Sequence, residues 1–129
     1  PGLLAYVLTS KYADHLPLYR QERILARLGL ETSRSTLCTW VLDSADLLYA
    51  VVRLMRQLIR KSAIIQADET TLKVQEGKGP THTSYLFVYL GDREHPYTVF
   101  DYQRSRRRDG PLGWLGDYEG YLQTDGYQG

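Results

Sequence analysis

Residues 63–74, AIIQADETTLKV, mark a change of period in this chain. Three apolar residues lead in, an acidic pair follows, and Thr71, Leu72, Lys73 and Val74 leave in near alternation. That pattern suits a pleated strand with one face on a core. Two more segments of the same kind follow, SYLFVYL at 84–90 and YTVF at 97–100, both rich in aromatic and β-branched residues. The connections QEGKGPTHT and GDREHP carry glycine and proline and are short enough for an antiparallel meander. GKG in the first of them lacks the spacing and the trailing Ser or Thr of a phosphate-binding loop. Beyond the third strand, RSRRRDG is a basic loop, PLGWLGDY a short helix despite its glycines, and YLQTD a fourth strand. A helix in that place allows the usual right-handed crossover, which returns the fourth strand beside the first and parallel to it.

Upstream the period is helical. LLAYVL is a short apolar segment, and HLPLYRQERILARLGL places Pro17 where a first helical turn tolerates it and Gly29 where a helix stops. Ser33 suits an N-cap, after which Leu37, Val41, Ala45, Leu48, Val52, Met55 and Ile59 recur in steps of three and four. This is one long amphipathic helix, with Arg53, Arg56, Arg60 and Lys61 on its polar side near the C-terminal end, where cations suit the helix dipole. ILARLGL and SRSTLCTWV, joined through Gly29, have the outline of a helix-turn-helix that would offer Ser33, Arg34, Ser35 and Thr36 to DNA. Two packed helices with a glycine turn also occur in proteins that never meet DNA, and packing or self-association competes as the purpose of so long a helix. The expected fold class is α+β, with a helical, helix-turn-helix-like DNA-binding region at 1–62 and a strand region at 63–129.

The 129 residues, 43% of them hydrophobic, suffice for a core. No run reaches the roughly 18 apolar residues of a membrane span, and the opening residues lack the order of a signal peptide. A cytoplasmic protein with no membrane partner is expected. One cysteine, Cys38, excludes an internal disulfide and is expected to be a small buried group, while three scattered histidines give no zinc-type spacing. The net charge of +1 conceals an asymmetry: residues 1–63 hold nine Lys or Arg against five Asp or Glu, and residues 64–129 seven against ten. Basic surface attracts phosphate and clustered acids need a cation, so the split is compatible with a nucleic-acid-binding element joined to a carboxylate-bearing domain. Chance fluctuation between two solvated surfaces accounts for it equally well.

The strand order bears directly on the acids. Asp68 is expected at the far end of the first strand and Asp125 at the same place on the fourth, so pairing of those strands brings the two side by side. Two adjacent carboxylates repel unless a divalent cation lies between them. Magnesium favours one or two carboxylates completed by water and phosphate oxygens, which points to phosphodiester chemistry. The bland alternative makes Asp125, in LQTDGYQG, an ordinary Asp-Gly turn residue.

YADHLPLYRQERILARLGLETSRSTLCTWV, ADETTLKV, GKGPTHTSYLFVY, VFDYQRSR and GYLQTDGYQG, in this order, resemble the insertion-sequence-sixty-six family of bacterial transposases over nearly the whole chain. The resemblance implies an incomplete ribonuclease H-like fold: three antiparallel strands, a helix, and a fourth strand parallel to the first. It also implies an Asp-Asp-Glu triad in which ADET and LQTDGY carry the first two acids, Asp68 and Asp125, holding two Mg²⁺ or Mn²⁺ ions in the complete enzyme. The implied partner is DNA, both insertion-sequence ends and target, with the protein at the nucleoid when bound and a homo-oligomer compatible. The family's third acid, a glutamate on a helix beyond the second Asp, has no counterpart here, so a fragment inactive by itself is expected. Glu69 should point to the face opposite Asp68, and Glu119 precedes the fourth strand, so neither replaces it.

Arg104, Arg106, Arg107 and Arg108 form the densest basic cluster, either a solvated loop or a set of guanidinium forks for a DNA backbone. Most of the eleven tyrosines are expected to pack on the sheet with a wet hydroxyl. Tyr127 stands near Asp125, but nothing beside it suggests an activated nucleophile. Trp40 and Trp114 are expected as core anchors. The rival to a transposase is a non-catalytic DNA-binding or interaction protein in which the helical half acts and the strand half is a remnant.

Overall fold

The computed structural model describes residues 2–125. In order along the chain come α1 (Gly2–Tyr12), α2 (Leu18–Arg27), α3 (Arg34–Ile59), β1 (Ile64–Val74), β2 (His82–Leu90), β3 (Thr98–Gln103), α4 (Asp109–Leu115) and β4 (Tyr121–Gln123). The class is α+β, helices first and a mixed sheet after them. Two compact units divide the chain, Pro1–Ala50 and Val51–Gly129, so the division falls inside α3.

In the first unit Val7, Leu18, Leu25, Leu37 and Val41 close on one another. Gln21 is fully buried among them, and its Nε2 donates to the carbonyls of Val7 at 3.2 Å and Leu16 at 3.0 Å, tying α2 to the chain before it. Pro17 lies one position outside α2, as its N-cap. At the other end Gly29, at φ +83°, sends its N–H to Ala26 O while Leu30 N–H reaches back to Leu25 O. These two bonds make a Schellman stop, which needs the left-handed conformation that glycine adopts without cost. Ser33 caps α3 as expected, its Oγ accepting from Thr36 N–H at 3.1 Å.

The heptad-like spacing of α3 overstates its burial. Leu37 and Val41 are buried in the first unit and Ile59 in the second, but Ala45, Leu48 and Val52 between them are exposed, because those turns join neither cluster. Cys38 is also exposed, contrary to expectation. One residue past Leu37 the helix has turned about 100°, which carries the thiol away from the core.

In the second unit the sheet order is β3-β2-β1-β4. β1 and β2 are antiparallel from Gln66↔Leu90 to Val74↔His82, β2 and β3 antiparallel from Leu90↔Thr98 to Tyr85↔Gln103. β4 joins the other edge of β1 in parallel, with Ile64↔Tyr121, Ile65↔Leu122 and Gln66↔Gln123 in register. Alternation places Ile65, Ala67, Phe87, Tyr89 and Val99 on one face, where Ile59 and Trp114 cover them. The Trp114 ring stacks on Tyr89 with centroids 3.7 Å apart and planes 8° from parallel. Trp114 is thus the core anchor expected of it, and Trp40 packs partly buried against the core of the first unit.

Two polar groups fix the periphery of this core. Arg56, assigned by its spacing to the solvated side of α3, instead donates to the carbonyls of Gly113 and Trp114, each at 2.6 Å through Nη2, and satisfies the end of α4. α4 stops there because Gly116 turns to φ +61°. Asp92 gathers the entry to β1: Oδ2 accepts from Ala63 N–H at 2.8 Å, and Oδ1 from the N–H groups of Glu94 at 3.1 Å and His95 at 3.0 Å. The bond from Ala63 leads the effects that hold its carboxyl below the usual carboxylate range, with the His95 contacts adding to it.

Trp114→Ala is expected to lower the unfolding free energy by about 3–5 kcal/mol, the usual range for emptying a buried aromatic site, as read by denaturant unfolding. A depressed folded pKa makes the Asp92 contribution present above the ordinary carboxylate value of about 4 and lost as pH falls through the folded value. Asp92→Asn should therefore flatten the acid limb of unfolding midpoint against pH, and an acid limb identical to wild type would refute that role.

Candidate functional site

β1 runs eight residues beyond Gln66, to Val74, whereas β4 stops at Gln123. Asp68 is therefore not at the far end of its strand, as expected, but at its fifth residue of eleven, since the hairpin with β2 extends the strand well past it. What ends at this level is β4. A cavity of about 430 Å³ opens where β1 loses that neighbour, and Asp68 and Asp125 both line it.

The parallel register accounts for the meeting. Gln66 pairs with Gln123, and Asp68 and Asp125, each two residues further along its own chain, both line the cavity. Paired residues of parallel strands project to the same face, and Gln66 Nε2 donates to Gln123 Oε1 at 3.2 Å on the face that alternation also gives to Asp68. Thr124 and Asp125 lie beyond the last strand residue, and Asp125 is exposed. One Asp68 oxygen, Oδ1, accepts the N–H of Glu69 at 2.7 Å.

Glu69 is the residue that sequence reasoning set aside. It does project from the other side of β1, beside Phe87, but β4 has ended at Gln123 and, among the described residues, both sides of β1 border the cavity, which Glu69 lines as well. Its carboxylate forms an ion pair with Arg106 Nη2. Arg108, just ahead of α4, completes the basic part of the wall. Tyr89 contributes to the apolar part, and its hydroxyl is buried with no hydrogen-bond partner among the described residues, not wet as expected. Burial above all, then the charge of Asp101, pushes that hydroxyl's pKa up, so it stays a neutral donor.

The remaining sequence candidates lie elsewhere. Arg104 pairs with Glu76 at 3.3 Å and Arg107 is exposed, neither of them lining the cavity. Arg34 and Ser35 are exposed in the first turn of α3, Arg34 N–H donating to Glu22 Oε1 at 2.8 Å. Glu119 is exposed away from the cavity. Tyr127 lies outside the described residues. Among those residues no three His, Cys, Asp or Glu side chains gather around one point, and no helix is long and apolar enough to cross a membrane.

The profile of the family described as "Transposase IS66 family" matches residues 1–129, the full length of the sequence. The chain belongs to the IS66 transposase family. Among the relatives of this IS66-family chain are three uncharacterized proteins of Sinorhizobium fredii. The one designated y4qI is 36% identical over 97% of this chain and 24% of its own length. Those designated y4jD and y4hP are 31% and 29% identical, over 98% and 100% of this chain and 26% and 24% of their own lengths. The IS66-family chain thus spans about a quarter of the curated relatives it matches. No solved structure matches it.

Proposed function

We propose that this chain is part of a DDE-type transposase, a metal-dependent polynucleotidyl transferase that cleaves DNA strands at insertion-sequence ends and joins them to a target. The single observation that supports this reading most is the convergence of Asp68 and Asp125 on one cavity through the parallel β1–β4 register. Family membership supplies the chemistry such a pair would serve. The strand order and the crossover through α4 agree with the opening part of a ribonuclease H-like domain.

The donor set fits a hard divalent cation. Two carboxylates in an open, partly polar cavity leave room for water and for phosphate oxygens, the surroundings that Mg²⁺ or Mn²⁺ takes more readily than a closed protein cage. Asp68 and Asp125 would hold two such ions. Bound there, the ions supply the charge that activates an attacking water or 3′-hydroxyl and stabilises the leaving oxygen.

The chain's own side chains have the other tasks of phosphoryl transfer, which are positioning and charge balance. The backbone bond from Glu69 fixes the Asp68 carboxylate in orientation. Arg106 and Arg108 set guanidinium groups beside the acids, where a DNA backbone would otherwise meet only negative charge. Arg104 and Arg107 extend the same basic loop to phosphates further along the duplex, and the protein works in the cytoplasm on nucleoid DNA. In the first unit the exposed Arg34 and Ser35 at the capped start of α3 support a second, non-catalytic DNA contact.

Titration with Mn²⁺, followed by isothermal calorimetry, should show binding by the wild-type chain that weakens roughly tenfold or more in Asp68→Asn and in Asp125→Asn. Loss of a direct ligand should cost at least the 10–100-fold typical of losing a supporting residue. Equal affinity in all three proteins would remove the metal site and leave the DNA-binding reading.

A further inference from the structure

We propose that the cavity lined by Asp68 and Asp125 also takes one unpaired nucleobase of the DNA substrate, and that the Tyr89 hydroxyl donates a hydrogen bond to a carbonyl oxygen of that base. The inference rests on the proposed function and adds a base subsite to it, where the acids address only the phosphate.

The wall of the cavity is of two kinds. Asp68, Asp125 and Arg108 belong to its polar part, whereas Phe87, Leu112 and the ring of Tyr89 belong to an apolar part between the sheet and α4. Leu112 is 61% exposed and Leu122, which also lines the cavity, 44%, so apolar surface stands open there. Phosphate and sugar gain nothing from such a surface. A base does, because both of its faces are flat and take aromatic and apolar contacts whatever its sequence identity. The volume of about 430 Å³ suits an occupant of that size, inside the roughly 300–1,000 Å³ of ordinary ligand pockets.

Tyr89 sets the chemistry of the occupant's edge. Among the described residues that line the cavity, its hydroxyl is the one buried side-chain polar atom without a hydrogen-bond partner. Burial above all keeps it in the neutral, donating form. An unpaired hydroxyl in a core costs free energy, and a carbonyl oxygen brought in by a ligand removes that cost. Thymine supplies such oxygens on a ring that is otherwise apolar and carries a methyl group. An aliphatic side chain of a protein partner would fill the apolar part equally well but leave the hydroxyl unpaired. A base must leave its stack to enter a pocket of this kind, so an unpaired nucleotide binds at lower cost than a paired one.

The experiment measures, by fluorescence anisotropy in Mg²⁺ buffer across a salt series, the affinity of the full chain for four short labelled duplexes. One is fully paired, and three carry a single-nucleotide bulge that is thymine, abasic, or difluorotoluene, which has the shape of thymine without its carbonyl acceptors. Wild type is expected to bind the thymine bulge about tenfold tighter than the abasic one, as befits a base held on aromatic and apolar side chains. It should bind thymine about threefold to tenfold tighter than difluorotoluene, the effect of one neutral hydrogen bond. Tyr89→Phe keeps the ring on Trp114 and should bind the thymine and difluorotoluene bulges equally, with a thermal unfolding midpoint equal to wild type or higher because a buried unpaired hydroxyl is gone. Thymine and abasic bulges bound alike by wild type overturn the base subsite, while salt-dependent binding of the paired duplex leaves the proposed function standing. A preference for thymine over difluorotoluene that persists in Tyr89→Phe overturns the part assigned to the hydroxyl. A wild-type chain with no salt-dependent binding of any duplex overturns both the subsite and the proposed function.

Discussion

Three parallel residue pairs between β1 and β4 govern the arrangement of the candidate site. Parallel pairing has no local turn to set its register, so it depends on the intervening chain, the hairpins of β2 and β3 and the crossover through α4, arriving at the right height. Ile65, in register with Leu122 and fully buried in the core beneath the sheet, helps to fix that height. A slip of one residue would flip every β4 side chain to the other face of the sheet.

The rest of the second unit supports that register from below. Trp114 packs flat against Tyr89, and Arg56 closes the carbonyl end of the helix that carries Trp114. Asp92 gathers the backbone of Ala63, just before β1, together with the turn that follows β2. These contacts place the start of β1 and the end of α4, the two points between which β4 must arrive. The short length of β4 then matters as much as its position, since among the described residues it leaves β1 without a partner on that edge from Ala67 onward, beside the cavity that both sides of the strand border. Asp68 and Glu69, neighbours that point to opposite sides of β1, thus both line that cavity.

Tyr89 shows a cost at the same place. Its hydroxyl is buried in the cavity wall without a partner among the described residues, a condition that a packed core ordinarily avoids. Phenylalanine would satisfy the stack on Trp114 equally well. The hydroxyl instead leaves a buried neutral donor near Asp101 and Glu69, consistent with the general pattern in which local rules are broken near functional sites.

Period and punctuation alone determined the element order of this protein. The alternation after Ala63, the three-and-four spacing before it, the Ser33 cap and the Gly29 stop are local signals written in neighbouring residues, and the right-handed crossover rule turned them into the order β3-β2-β1-β4. Strand order also made Asp68 and Asp125 candidates for one site, and both line the same cavity. Only the tertiary structure decided which apolar residues of α3 are covered, that Arg56 serves a helix end instead of solvent, and that Glu69 and Arg106 meet across 37 residues of sequence. Those outcomes depend on where a second element ends or passes, and such distances are set by packing between segments, which no local pattern of residues records.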